Sequence, residues 1–148
     1  MPHRSIREVI GHRPFPTVLP THSIRECAYL MKEWRSSAVL VVKDDKLLGI
    51  LTERDIVFRC VALDCPMDSL RVWSVMTKDP QTIHKDKPFG HALHLMYEGG
   101  FRHLPVVDDL GKVKGIGEKT LAEVRPLVTV GQPAGIPAEP AAPPSVPA

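Results

Sequence analysis

The sequence predicts an α+β fold of two packed repeats, and three observations lead there. Positions about 65 residues apart carry like residues: Thr17 and Thr82, Ile24 and Phe89, Met31 and Met96, Val41-Val42 and Val106-Val107. After a one-residue slip, Gly49-Ile50 matches Gly115-Ile116. Within each copy, short runs of strand character flank a segment of helical periodicity. At 148 residues and 43% hydrophobic, the chain can bury one sizeable core. A repeat of this length exceeds a solenoid unit and falls short of an ordinary domain. The halves are therefore expected to pack on each other, with a ligand cleft between them.

In the first copy, Pro16–Leu19 reads as a short extended segment. Ser23 and Glu26 form the pattern of a capping box, and Ile24, Cys27, Ala28, Met31 and Trp34 follow at helical spacing. Ala38–Val42 reads as a buried strand, Lys43–Lys46 as a polar turn and Leu47–Leu51 as the returning strand. A second helix is expected from about Glu53 to Ala62, with Pro66 closing the unit. The Met and Trp residues stand at apolar helical positions and are expected in the core.

The second copy repeats this order. Gln81–His84 is its short strand, and Asp86-Lys87-Pro88 opens a helix with an acceptor followed by proline in the first turn. Phe89, Ala92, Leu93 and Met96 form the buried face, and Gly99-Gly100 ends it. His103–Val107 is the central strand, Asp108–Lys112 the turn and Val113–Ile116 the return. A last helix is expected over 118–124, limited by Pro126. The expected division is 5–66, 67–125 and a disordered Pro/Ala-rich tail over 126–148, where proline removes donors and alanine offers little to bury.

A net charge of +2 is too balanced to point to nucleic acid. No apolar run approaches the ~18 residues of a membrane span, and no long apolar signal region follows Met1. Cys27, Cys60 and Cys65 lack C-x-x-C spacing, which reads as reduced thiols in a cytoplasmic protein. No Cys/His or Ser/His/Asp arrangement supports an enzyme. His91 and His94, three apart on a helix, lack a third metal ligand and read as a solvated face.

Three stretches carry a family resemblance: Gly49-Ile50-Leu51-Thr52-Glu53-Arg54-Asp55, Val75-Met76-Thr77, and Arg102-His103-Leu104-Pro105-Val106-Val107-Asp108. In register within a repeat, over roughly residues 5–116, they resemble a tandem pair of CBS domains, the Bateman module of two packed β-α-β-β-α repeats. The resemblance implies a regulatory module, without catalysis or a required cofactor, that binds an adenosine-containing ligand between the repeats: AMP, ADP, ATP, S-adenosylmethionine or a cyclic dinucleotide. It places Asp55 on ribose hydroxyls, Thr52 near phosphate, Arg102 and His103 reaching toward phosphate, and Thr82 and Ile83 beside the adenine. It also implies a homodimer and an unidentified regulated protein as partners.

The chemistry of these residue types agrees. A carboxylate accepts from both vicinal hydroxyls of a ribose. A helix beginning near Glu53 directs amides and partial positive charge at an anion. An Arg102 guanidinium adds a forked contact, and His103 adds charge only when protonated. Thr52 and Asp55 also fit an ordinary helix N-terminal box, a role compatible with binding.

The second repeat departs from the family pattern after Gly115-Ile116, where Glu118 and Leu121 stand in place of the Ser/Thr and Asp. One competent site is therefore expected. The same stretch, residues 115–122, resembles half of a helix-hairpin-helix, which binds DNA phosphates and is the alternative reading. A ligand-free dimerisation scaffold is the third.

Overall fold

The computed structural model describes residues 4–12 and 14–118. Its elements are α1 (Ile6–Ile10), β1 (Thr17–Val18), α2 (Ile24–Trp34), β2 (Ala38–Lys43), β3 (Lys46–Thr52), α3 (Glu53–Asp55), β4 (Thr77–Lys78), β5 (Ile83–His84), α4 (Phe89–Gly99), β6 (His103–Val107) and β7 (Val113–Glu118). They form two sheets, ordered β1-β2-β3-β4 and β5-β6-β7. Each sheet runs a parallel pair into an antiparallel hairpin. The repeat seen in the sequence is thus a repeat of topology.

The Ala38–Val41 run is apolar throughout because β2 is covered on both faces. Val39 and Val41 join Leu51 and the buried face of α2 in one core cluster. Ala38, Leu40 and Ile50 face the other way, with Phe15, Leu47 and Val113 packed against them. Val113 comes from the second repeat, so this layer joins the halves. Asp44 and Asp45, at φ of 52° and 63°, make the two-residue loop between β2 and β3, whose right-handed strand twist favours positive φ at both positions.

Ser23 caps α2 as expected, its hydroxyl accepting from the Glu26 amide at 3.1 Å. Ile24, Cys27 and Met31 are buried, but Trp34 remains 46% exposed and Trp73 50%. The expectation of two core tryptophans is therefore corrected: Trp34 ends α2 after Met31, the last residue that the helix buries, and Trp73 carries Lys78 over its ring at 5.5 Å.

The helix expected from Glu53 to Ala62 is present at that place with different winding. One α-turn at α3 passes into a π-helix over Ile56–Val61, after which the Ala62 amide donates to the Val57 carbonyl at 2.9 Å. This register buries Ile56 and Cys60 and leaves Val57, Phe58 and Val61 about half exposed. Burial pushes the Cys60 thiol up, and pushes Cys27 to about 12, as for cysteines that act as core residues.

The start of α4 also differs. Pro88 is the N-cap and offers no side chain to the helix, while Asp86 turns away to pair with Arg7. The missing cap comes from the chain's beginning: the Phe89 amide donates to the Arg4 carbonyl at 2.8 Å, and the Ile6 amide to Lys87 at 2.9 Å. Gly100 ends the helix at φ 68°, the left-handed geometry for which glycine has no steric penalty.

These contacts belong to an exchange between the repeats. Ile6 is buried with Ile83, Ala92, Met96, Leu104 and Val106 of the second repeat. In turn Val72 and Val75 are buried in the first repeat's cluster, and β4 extends the first sheet beside β3. Ser5 bridges Pro88 just as Arg71 bridges Ser23. The segment leading each sequence repeat thus packs on the other one. An isolated bridge joins Lys46 and Lys112, counterparts in the two repeats.

Glu118 lies in β7, so it does not open the helix expected over 118–124. The remainder of that helix and the tail over 126–148 lie outside the described residues. Residues 115–118 form a strand opposite His103–Val106, which corrects the helix-hairpin-helix reading for that part of 115–122. Among the described residues, no helix is long and apolar enough to cross a membrane.

Candidate functional site

Thr52 is the last residue of β3 and the N-cap of α3, so the end of a buried strand fixes the cap in space. A capping box closes there. The Asp55 amide donates to Thr52 Oγ1 at 3.2 Å, while the Thr52 amide and hydroxyl both donate to Asp55 Oδ2 at 3.0 Å. Asp55 Oδ1 points elsewhere and lies 3.8 Å from Arg59 Nε. Arg59 is anchored by a bond from Nη1 to the Val75 carbonyl at 2.8 Å.

Ser37 precedes β2 and touches both sides of the junction. Its carbonyl accepts from the Glu53 amide at 2.9 Å, and its Oγ lies 2.7 Å from Nε2 of His103 at the start of β6. His103 is held mostly out of water. Burial and then the neighbouring Arg102 push its pKa below the ordinary range, and only the Asp55 carboxylate opposes them. His103 is therefore neutral at physiological pH.

The structure thus brings Thr52, Asp55 and His103 together across the repeats. Arg102 is exposed beside them and makes no ion pair among the described residues. Ile83 is a core residue, only 5% exposed, so its side chain is committed to the second cluster, while Thr82 is exposed. The helix start offers less to an anion than expected, because the amides of Glu53 and Asp55 are already bonded. Ser37, a serine directly before a strand, carries no sequence pattern that marks it as part of the site. His91 and His94 are exposed, and His94 lies 3.5 Å from Glu98.

Two sheets in a repeated α+β arrangement, with polar residues converging where the repeats meet, define a module of paired repeats. The CBS domain family profile matches residues 6–61 and 72–116, more than half of the chain. The chain belongs to the CBS domain family as a tandem pair, a class of regulatory, ligand-binding modules.

A CBS domain-containing protein of Arabidopsis thaliana, CBSCBSPB1, is 40% identical over 119 residues, covering 80% of this chain and 22% of that protein. The chain thus spans about a fifth of that curated relative. A protein with CBS domains from Burkholderia ambifaria superposes with a TM-score of 0.77 at 27% identity, over 87% of this chain and 97% of the other. The CBS domain protein PAE2072 of Pyrobaculum aerophilum, solved in complex with AMP, gives a TM-score of 0.74 at 23% identity, over 86% and 100% of the two chains.

Proposed function

We propose that this CBS pair is a regulatory sensor of an adenosine-containing ligand (AMP, ADP, ATP or S-adenosylmethionine) held at the junction of its repeats. The observation that carries the reading is the Ser37–His103 contact. It ties the start of β6 to the segment bearing Thr52 and Asp55, so groups from both repeats face one place. Asp55 Oδ1 is positioned to accept from ribose hydroxyls, since Oδ2 is taken by Thr52. Arg102 supplies the cation for a phosphate, and the backbone at Thr82 and Ile83 flanks the adenine. The AMP complex of PAE2072 supports this ligand class at the level of the fold.

The protein performs no chemistry on the ligand. Binding across the junction favours one arrangement of the repeats, and a regulated partner reads that arrangement. The working unit is the pair over 5–125, acting as a cytoplasmic homodimer. Titration calorimetry against the four ligands, at two salt concentrations and with Asp55→Ala alongside, tests the reading. Saturable binding near one ligand per chain, lost in the variant, supports it. A folded protein that binds none of them is a scaffold instead.

A further inference from the structure

Cys27 and Cys60 are buried in the first repeat's cluster, and the half-buried Cys65 packs against it. All three are free thiols. The winding of the chain brings Cys60 and Cys65 together. The Cys65 amide donates to the Cys60 carbonyl at 2.9 Å, the same five-residue reach that links Ala62 to Val57 in the π-helix. Asp64, at φ 54°, turns the chain back between them. With standard bond lengths, that hydrogen bond keeps the two Cα atoms within about 6.8 Å, the span of a disulfide. Burial raises the Cys60 thiol most, and the charge of a Cys65 thiolate is the next cause, in keeping with a second thiol beside the first. Cys65 Sγ, 3.2 Å from the Arg59 carbonyl oxygen, belongs to the residue of the two that reaches water.

We propose that Cys60 and Cys65 form a reversible disulfide, a redox site at the end of the helical segment that opens with Thr52 and Asp55. The two-electron acceptor is a small-molecule disulfide such as oxidised glutathione. The Cys65 thiolate attacks one sulfur of the oxidant and expels a glutathione thiolate, leaving a mixed disulfide. Cys60 then loses its proton to water, its thiolate attacks the Cys65 sulfur, and the second glutathione thiolate leaves. Two protein thiols are oxidised, one glutathione disulfide is reduced, and the two expelled thiolates take up the two protons released. Cys60, kept protonated by burial, reacts only after Cys65 has been modified. In a reducing compartment such a bond is a transient sensor rather than a permanent cross-link. It closes the turn beyond Val61 and so fixes the π-wound register of the segment after Asp55.

The full chain is equilibrated in glutathione buffers of rising oxidised fraction, quenched with acid, alkylated and mapped by mass spectrometry. A peptide link between Cys60 and Cys65 is expected, about 2 Da lighter than the reduced pair, with Cys27 still alkylated and the link reversed by excess reduced glutathione. Cys60→Ala should stop at a glutathione adduct on Cys65, and Cys65→Ser should leave Cys60 reduced. The Ala62 and Cys65 amides should exchange hydrogen about tenfold more slowly in the oxidised chain. The map of the parent chain decides the matter even where a variant fails to fold. A glutathione adduct that persists on its Cys65, a link to Cys27, or three unmodified thiols in the most oxidising buffer overturns the proposal. Unchanged amide exchange with the bond formed overturns the fixed register and leaves the redox site standing.

Discussion

Ser37 Oγ lies 2.7 Å from His103 Nε2, a side-chain bond between the repeats made where the strands β2 and β6 begin. It gives the two halves a polar contact beside the apolar layer of Leu40, Ile50 and Val113. It also holds an imidazole away from water, and this has a consequence for pH. His103 titrates below its ordinary range in the folded chain, chiefly through burial and secondarily through Arg102, with Asp55 opposing. As pH falls through the ordinary His value of about 6.5, the unfolded chain takes up a proton that the native chain does not. Stability is therefore lost on acidification and is unaffected by this group at higher pH. The Tm difference between about pH 7.5 and pH 5.5 should shrink in His103→Gln. An equal pH response in variant and parent would show that His103 is not the group responsible.

Asp55 has a structural and a binding role, and they are separable by measurement. As the third residue of the capping box it satisfies the Thr52 amide, so Asp55→Ala should cost about 1 kcal/mol of stability. If its Oδ1 also accepts from ribose, adenosyl-ligand affinity should fall by about 1.5–3 kcal/mol more. Thermal melting of the unliganded proteins gives the first number and calorimetry the second. Unchanged affinity would remove ribose from the account of this carboxylate.

Much of the fold was legible because the strongest signals are local. The Ala38–Val42 and His103–Val107 runs, the turns between hairpin strands and the Gly100 stop depend on neighbours in the chain, and each appears where its residues placed it. What the sequence hid depends on partners far away. Ile6–Ile10 has the periodicity of a short helix, but periodicity does not say which core receives Ile6. The π-helix over Ile56–Val61 arises because packing, rather than spacing, decides which residues face inward. Of the site, the residue types at Thr52, Asp55 and His103 were visible. Ser37 was not, because a serine before a strand carries no pattern until its partner is known.

Gly49 and Gly115 are counterparts in the two repeats, yet their substitution should differ. A Cβ at Gly49 would come within 2.7 Å of the Thr77 carbonyl oxygen and 2.5 Å of Met76 Sδ. The backbone carbonyl belongs to β4, paired beside β3, and cannot yield without opening that ladder. At Gly115 the obstacle is the tip of Ile10, 2.9 Å away, which can rotate. Gly49→Ala should therefore destabilise by about 1–3 kcal/mol, and Gly115→Ala by clearly less. Denaturant midpoints of the two variants provide the comparison, and equal losses would mean that β4 is not held against Gly49 as described.

The exchange of leading segments makes the second repeat dependent on the start of the chain. Ile6 is only 2% exposed and lies among Ile83, Met96 and Leu104, and the same segment supplies the carbonyl that caps α4 through Phe89. Ile6→Ala removes buried methyl groups and leaves a cavity at the centre of that cluster, a loss of about 2–5 kcal/mol. Arg7→Ala removes only a solvent-exposed ion pair with Asp86 and should cost far less than Ile6→Ala. Hydrogen exchange locates the effect: amides of α4 and β6 should lose protection in Ile6→Ala while those of β2 and β3 change less. Loss centred on β2 and β3 instead would mean that α1 serves the first repeat, contrary to the packing seen here.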